Sequence, residues 1–510
     1  MGREEEIVKE RLKKIEALKK LGLEPYAYRY DQKDFAAALK EKFDSKLKDN
    51  QISKDKVKVA GRLMGVRSFG KIAFAKLVDK TGQIQVVLEE KASGKKTIDF
   101  LSKYLDAGDI VGVEGVMHKT KRGETSILVK KMELLTKSIG TLPDKWHGLQ
   151  DKEERYRKRY LDLIVDPEVK KVFIIRAKIL EAMREYMTKN DFIEVETPLL
   201  QSIYGGAHAK PFKTHCDAYD SDVFLSIAPE LYLKKALVGG FGRVYEITKK
   251  FRNEGVDRQH NPEHMTIEWY QAYADYNDGM AMFEGLIKEV AMKLFGKLTF
   301  EFQGHKIDLR KWKRLSINDA IKQYLNEDVS KVKTTAEAKK IAKKHGVDPT
   351  GVTKGNLPDE LMKLFREKLI QPTFLTDYPM ELSPLAKPKR GDPTKAEVFQ
   401  PFIGGMELAR AYSELSDPRL QAKHFGEQEQ ERDEGNVEAM QTDTDFVDAL
   451  EYGMPPACGV GIGIERLVML FADQTSIRDV ILFPFMKPEV EESKKPEKKD
   501  EKKGKKPKKK

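Results

Sequence analysis

The sequence predicts an α+β protein in which a small closed β-barrel of the OB type precedes a longer region of helices and strands. Three observations predict it. Between Val57 and Leu135 apolar residues alternate with polar ones in five short runs separated by glycines and one helical stretch. After Lys145 the pattern changes to long amphipathic helices and intervening strands. The 510 residues, 40% of them apolar, suffice for two to four domains with cores of their own.

Residues 3–49 read as helix, with Ile7, Leu12, Ile15 and Leu18 at helical spacing and a second series at Phe35, Leu39 and Phe43. This makes residues 1–50 an amphipathic appendage. The barrel, residues 51–145, takes its strands from VKVAGRLMGV, IAFAKLVD and IQVVLEE, punctuated by Gly61, Gly70 and Gly82. A helix near TIDFLSKYL leads to two further strands, IVGVEGVMH and TSILVKKMELL. Any other small antiparallel barrel fits the same pattern, so the OB type is one of two readings. The third region, residues 146–488, opens with helices in DKEERYRKRYLDL and KKVFIIRAKILEAMREYMTKNDF, then the extended run FIEVETPLL, halted by Pro198. The lysine-rich stretch 330–356 reads as a helical surface insertion, and 399–484 returns to strands and closes with a helix. Residues 489–510 contain no apolar residue except Val490 and are expected to be disordered.

No run approaches the roughly 18 apolar residues of a membrane span, and the N-terminus MGREEEIVKERLKK has no apolar leader core. A soluble, cytoplasmic chain without a membrane partner is expected. Cys216 and Cys458 lack any CxxC partner, which fits a reducing compartment and excludes a cysteine-based zinc site. The net charge of +11 is concentrated at the end: Lys494–Lys510 alone contributes +8, leaving about +3 for the body. A basic tail is present, but not a basic fold.

There is no GxxxxGK[ST] loop, which excludes a P-loop nucleotide site. In CGVGIGIERL the glycines at 459, 461 and 463 do not match GxGxxG, but they offer a strand edge free of side chains, against which a flat ring can lie, followed by Arg466 on a helix. HNPEH sets His260 and His264 four apart, a helical metal-pair spacing, but Pro262 between them favours a loop over a zinc helix. Glu407 and Glu414, seven apart in a strand, fall on opposite faces unless a bulge restores the register. Glu230, at the head of the apolar helix APELYLKKAL, needs a partner if buried. The mixed-charge stretch FRNEGVDRQHNPEH is either a solvated hairpin tip or a site that holds an anion and a cation together.

Taken together, these segments resemble the class II aminoacyl-tRNA synthetases of the aspartate, asparagine and lysine subgroup, with the lysine-type enzymes nearest. KKVFIIRAKILEAMREYMTKNDFIEVETPLL is similar to their motif 1, GRVYEITKKFRNEGVDRQHNPEHMTIEWYQAYADY to motif 2, and GVGIGIERLVMLFADQTSIRDVILFPF to motif 3. The likeness runs in the family's order from Val57 to Pro488. It implies an antiparallel sheet flanked by helices, an anticodon-binding OB barrel and a homodimer formed through motif 1. The implied reaction activates lysine with ATP and passes it to tRNA(Lys).

The resemblance also implies roles, residue by residue. Arg252 and Arg466 would be catalytic, and Arg252, Glu254, His260, His264, Glu268, Glu407, Gly463 and Arg466 would bind ATP. Gly206, Glu230, Tyr270, Arg410, Tyr412 and Glu414 would bind lysine, with Glu414 and Tyr270 at its ε-ammonium. Glu407 and Glu414 would bind magnesium, the implied cofactor. In the barrel, Phe74 would stack on the central anticodon base, Gln85 would hydrogen-bond its edge, and Glu124 would add a contact; without the resemblance, a core role for Phe74 is the lesser alternative. Three positions depart from the family's pattern: Gln400 stands where a glutamate is common, Arg410 where an asparagine is, and His264 where a phenylalanine is. Two rival functions are a ligase that modifies protein lysines, against which the barrel argues, and a non-catalytic nucleic-acid-binding paralogue, against which Arg252 and Arg466 argue.

Overall fold

A computed structural model describes residues 2–143, 149–433 and 439–489. From Val490 onward the tail lies outside the described residues, and with it the expected disorder. The chain divides into two compact units, Met1–Gln150 and Asp151–Lys510.

In the first unit the predicted N-terminal helix is interrupted. Arg3–Lys20 and Ala36–Phe43 are helical, and the segment between them is not. Gly22 at φ +70° ends the first helix, with the Leu23 amide returning to the Leu18 carbonyl. Strands β1 (Ile52–Phe69), β2 (Ile72–Val78), β3 (Gln83–Glu89), β4 (Ile110–Lys119) and β5 (Thr125–Thr136) close a barrel in the order β1-β2-β3-β5-β4. Only β3 and β5 pair in parallel. Val59, Ala73, Leu77, Val86 and Val113 fill the interior. The alternation therefore turns Phe74 and Gln85 outward onto one shared face, where Phe74 is half-buried rather than core.

The second unit is built on a nine-stranded sheet. It runs from Lys313–Ser316 through Thr373–Thr376, Val398–Ile403, Ala409–Ser413, Ala457–Gly463, Glu263–Ala272 and Arg243–Phe251 to Ile193–Glu194, with Met406–Glu407 paired to Val398–Ile403. The strands are antiparallel except at the two edges, where the outermost pairs are parallel. The expected antiparallel sheet is thus mixed at its margins. Ala457–Gly463 lies in its interior, so what the glycines leave free of side chains is a face, not the expected edge.

Two long helices cover one face. Pro167–Lys189 starts with the Asp166 cap and Pro at its first position, and Tyr276–Phe295 starts with a capping box at Asp275. Their apolar stripes, including Ile179, Met183, Phe283 and Leu286, pack with Ile267, Trp269 and Val460 of the sheet. The opposite face of the same strands carries Glu268 and Tyr270, and the helices Glu230–Val238 and Thr444–Glu451 flank it. The lysine-rich stretch holds a helix, Thr335–Lys344, as expected. It is more than a surface insertion, since Val332, Ala338, Ala342 and Val352 join a core with Leu375 and Phe402.

Candidate active site

The face left free by the long helices carries a cavity of about 410 Å³, lined from the strands 263–272, 406–413 and 457–463 and the helix heads at Glu230 and Arg466. Two short-range devices shape it. The pairing of Val398–Ile403 shifts by one residue between Ala411 and Glu407, leaving a bulge at Leu408 and Ala409. That extra residue restores Glu407 to the face of Arg410, Tyr412 and Glu414, the condition the odd spacing required. Gly459 is the other device: a Cβ there would collide with Glu414 Oε1 and the Tyr270 ring.

The closed end is anionic. Glu414 is fully buried, and Lys234 Nζ sits 2.5 Å from its Oε2 and 2.6 Å from Glu230 Oε1. Glu230, the isolated carboxylate of the sequence, also accepts the Tyr412 hydroxyl at 2.6 Å on each oxygen. Gly206 closes over it at φ +81°, where a Cβ would come within 2.9 Å of Glu230 Cβ. Burial alone would push the Lys234 ammonium down, and the two carboxylates more than offset this, so it is held charged. Burial raises the Tyr270 and Tyr412 hydroxyls well above their usual range, keeping both as donors. Glu268, against Gly461, is pushed up to about 8 by burial and then by the charge of Glu230, with Lys250 and Arg252 pulling it back.

The open end is cationic. Arg252 leaves the strand at the start of the loop, and its Nε is buried with no partner, while one terminal nitrogen reaches the Ile227 carbonyl at 3.5 Å. His260 stands in the loop, where Asp257 accepts from its Nδ1 at 2.8 Å. That fixes Nε2 as an acceptor for Arg466, 3.4 Å away. Arg466 also donates to the Glu407 carbonyl at 3.0 Å. His264 lies on the strand Glu263–Ala272 rather than in a loop. Burial first, then Arg252, holds its imidazole down to about 3, which leaves a neutral ring over the cavity. Glu254 is exposed at the mouth, and a Cβ at Gly463 would touch only the Arg466 side chain, at 3.9 Å. Arg410 also lines the cavity, tied to the Leu382 carbonyl and the Ser383 hydroxyl.

A hard cation fits beside Glu407. Gln400 Nε2 donates to Glu407 Oε1 at 3.1 Å, and Gln400 Oε1 is buried without a partner, so an orphaned oxygen adjoins a carboxylate. Glu414 does not join them as expected, because its carboxylate is already held by the Lys234 ammonium. No group of three or more metal-ligating side chains occurs among the described residues.

Several residues were missed by the sequence reading. Lys234 is one turn after Glu230, an i,i+4 spacing that was visible. Arg176 pairs with buried Glu465 at 2.8 Å, and Glu465 also accepts the Met265 amide, fastening a long helix to the site's strand. His208 lines the cavity and is lowered to about 4 by burial and then by Arg410. In the barrel, Gln85 donates to Ser126 at 2.9 Å, and Glu124 pairs with Lys40 at 3.5 Å.

Residues 151–487 match the family of class II tRNA synthetases (D, K and N), and residues 57–135 match the OB-fold nucleic acid binding domain. The chain belongs to the class II tRNA synthetases of the D, K and N group. Among similar proteins are the lysine–tRNA ligase of Nostoc punctiforme, 47% identical over 95% of this chain and 88% of the relative, and that of Carboxydothermus hydrogenoformans, 47% identical over 95% and 98%. The lysine–tRNA ligase of Thermotoga maritima is 45% identical over 95% of this chain and 96% of its own. This synthetase therefore acts with tRNA as its partner and carries an OB fold ahead of its catalytic sheet. No helix among the described residues is long and apolar enough to cross a membrane.

Proposed function

We propose that the chain is a lysine–tRNA ligase working in the cytoplasm on lysine, ATP and tRNA(Lys). The observation that carries the choice of lysine is the closed end of the cavity. There Glu230, Glu414, Tyr270 and Tyr412 meet, a set that rewards a cation and leaves an apolar or acidic side chain facing buried carboxylates.

In the first step a carboxylate oxygen of lysine attacks the α-phosphorus of ATP, the bond to the bridging oxygen breaks, and pyrophosphate leaves with the electron pair. Arg252, with its unpartnered Nε, lies between the two reacting anions and stabilises the charge that develops on the phosphoryl oxygens. Arg466, held by the Glu407 carbonyl and by His260, grips the nucleotide from the other side. His264 offers its neutral ring to adenine, Gly463 lets the base approach the strand, and Glu254 contacts the nucleotide at the mouth. Glu268 faces the adenylate. In the second step a terminal ribose hydroxyl of tRNA attacks the lysyl carbonyl and AMP leaves; no covalent bond to the protein forms in either.

Glu407 is the carboxylate offered to magnesium, with Gln400 Oε1 as a neutral oxygen beside it. The ion would supply Lewis-acid stabilisation of phosphate charge. Arg410 adds a fixed cation to the wall of the lysine site. Phe74, Gln85 and Glu124 are assigned to the anticodon, since an outward aromatic beside an amide is how single-stranded bases are read. A homodimer through motif 1 is supported by the exposed apolar side chains of Ile174, Ile193, Leu199 and Leu200.

Pyrophosphate exchange into ATP, measured with each standard amino acid in turn, tests the reading. Lysine is expected to support exchange at least about 100-fold better than any other, the scale of losing a buried charge partner. Exchange driven equally by an uncharged or acidic amino acid would overturn it.

A further inference from the structure

Lys234 has no exposed surface, and its ammonium lies behind the cavity wall, paired with Glu230, which lines the cavity. It bonds Glu230 at 2.6 Å and Glu414 at 2.5 Å, and the Tyr412 and Phe446 rings lie 5.5 Å and 5.8 Å from it. A buried ammonium costs several kcal/mol of desolvation, so an apolar residue would serve a purely structural role at less expense. From this position one side chain spans from the helix Glu230–Val238 to Glu414 at the strand end.

The carboxylates facing the Lys234 ammonium are Glu230 and Glu414. Glu268, a third carboxyl, stands near both and is pushed up to about 8 by burial. Lysine brings two ammonium groups. We propose that Lys234 is a positioning and specificity-determining residue: it ties Glu230 to Glu414 and holds the two carboxyl groups at the separation that a diammonium amino acid meets. Without it, the two glutamates are released from their fixed separation and face each other with no cation between them. The inference rests on the lysine reading above.

The test uses the full chain and pyrophosphate exchange, with the KM of lysine and the KM of ATP measured separately. Lys234→Met is expected to raise the lysine KM by about 100-fold while the ATP KM stays within about threefold. Lys234→Arg keeps the charge but crowds the two carboxylates, and is expected to recover about tenfold of that loss. A general structural role would move both constants together and lower the melting temperature in proportion, which would overturn the proposal. So would an unchanged lysine KM in Lys234→Met. Should that variant not fold, Lys234→Arg decides: a lysine KM equal to that of the unmodified chain rejects the proposal, and a selective rise of about tenfold supports it. Failure of the unmodified chain to exchange with lysine would instead reject the underlying reading.

Discussion

The two ends of one cavity are built in opposite ways. At the closed end Glu230 and Glu414 are buried and ion-paired to the same buried Lys234, and Gly459 leaves room for Glu414 and the Tyr270 ring. At the open end Arg252 has an unpartnered nitrogen, Glu254 is exposed, and Arg466 is held by one carbonyl and one imidazole. On the function proposed above, the amino acid would meet a preorganised site, where a wrong side chain strands a buried charge, and the nucleotide would meet Arg252, whose Nε lacks an acceptor. Discrimination would then belong to the first end and charge stabilisation during reaction to the second.

The largest effect that could break this contrast comes from Glu414→Gln. Removing one member of a buried charged pair costs about 3–5 kcal/mol, so lysine-dependent exchange is expected to fall by roughly two to four orders of magnitude. Near-normal exchange with lysine would mean that the closed end does not select.

Glycine positions on a single strand sharpen the comparison. Gly459→Ala drives a methyl into Glu414 and Tyr270 and is expected to raise the lysine KM by about 10- to 100-fold through overpacking of about 1–3 kcal/mol. Gly463→Ala makes only ordinary van der Waals contact with the Arg466 side chain and should change only the ATP KM, by no more than about tenfold. Equal effects of both on lysine KM would dissolve the division between the ends.

Glu268 sits between them, and its carboxyl, pushed up to about 8, supplies a titration. Because its folded pKa is raised, its contribution to stability is full below the unfolded value near 4.5 and is lost as pH rises through about 8. Binding of an ammonium favours the ionised form, so lysine binding at pH 7 should release about one proton, detectable by calorimetry in buffers of different ionisation heat. Glu268→Gln should abolish that release. The smallest effect is expected from Gln400→Glu, which adds a hard ligand beside Glu407 and should lower the magnesium concentration for half-maximal exchange by less than about tenfold. An unchanged magnesium titration would remove Gln400 from the metal's surroundings.

Much of this was legible in the residues. The five alternating runs place β1 to β5, and an acid heading an apolar helix marks Glu230 as partnered. The joint placement of Glu407 and Glu414 was legible only as a condition, because a bulge is a pairing of strands and not a property of one. Lys234 was not singled out: its i,i+4 spacing from Glu230 was visible, but nothing within nine residues tells which side of the helix meets a distant strand. The continuous helix expected over residues 3–49 failed because apolar spacing persists across the Gly22 break while the backbone does not.

The strand Ala457–Gly463 has a consequence for substrate length. On the proposed function Gly459 would mark the ammonium end and Gly463 the nucleotide end, and four residues of strand advance about 13 Å. With both stations fixed to one backbone, the strand would act as a ruler that measures the amino acid from its charged tip to the phosphate it must reach. A diamino acid shorter by one methylene can satisfy either station but not both, and the mismatch of about 1–3 kcal/mol is levied on the reaction rate even where the charge is right.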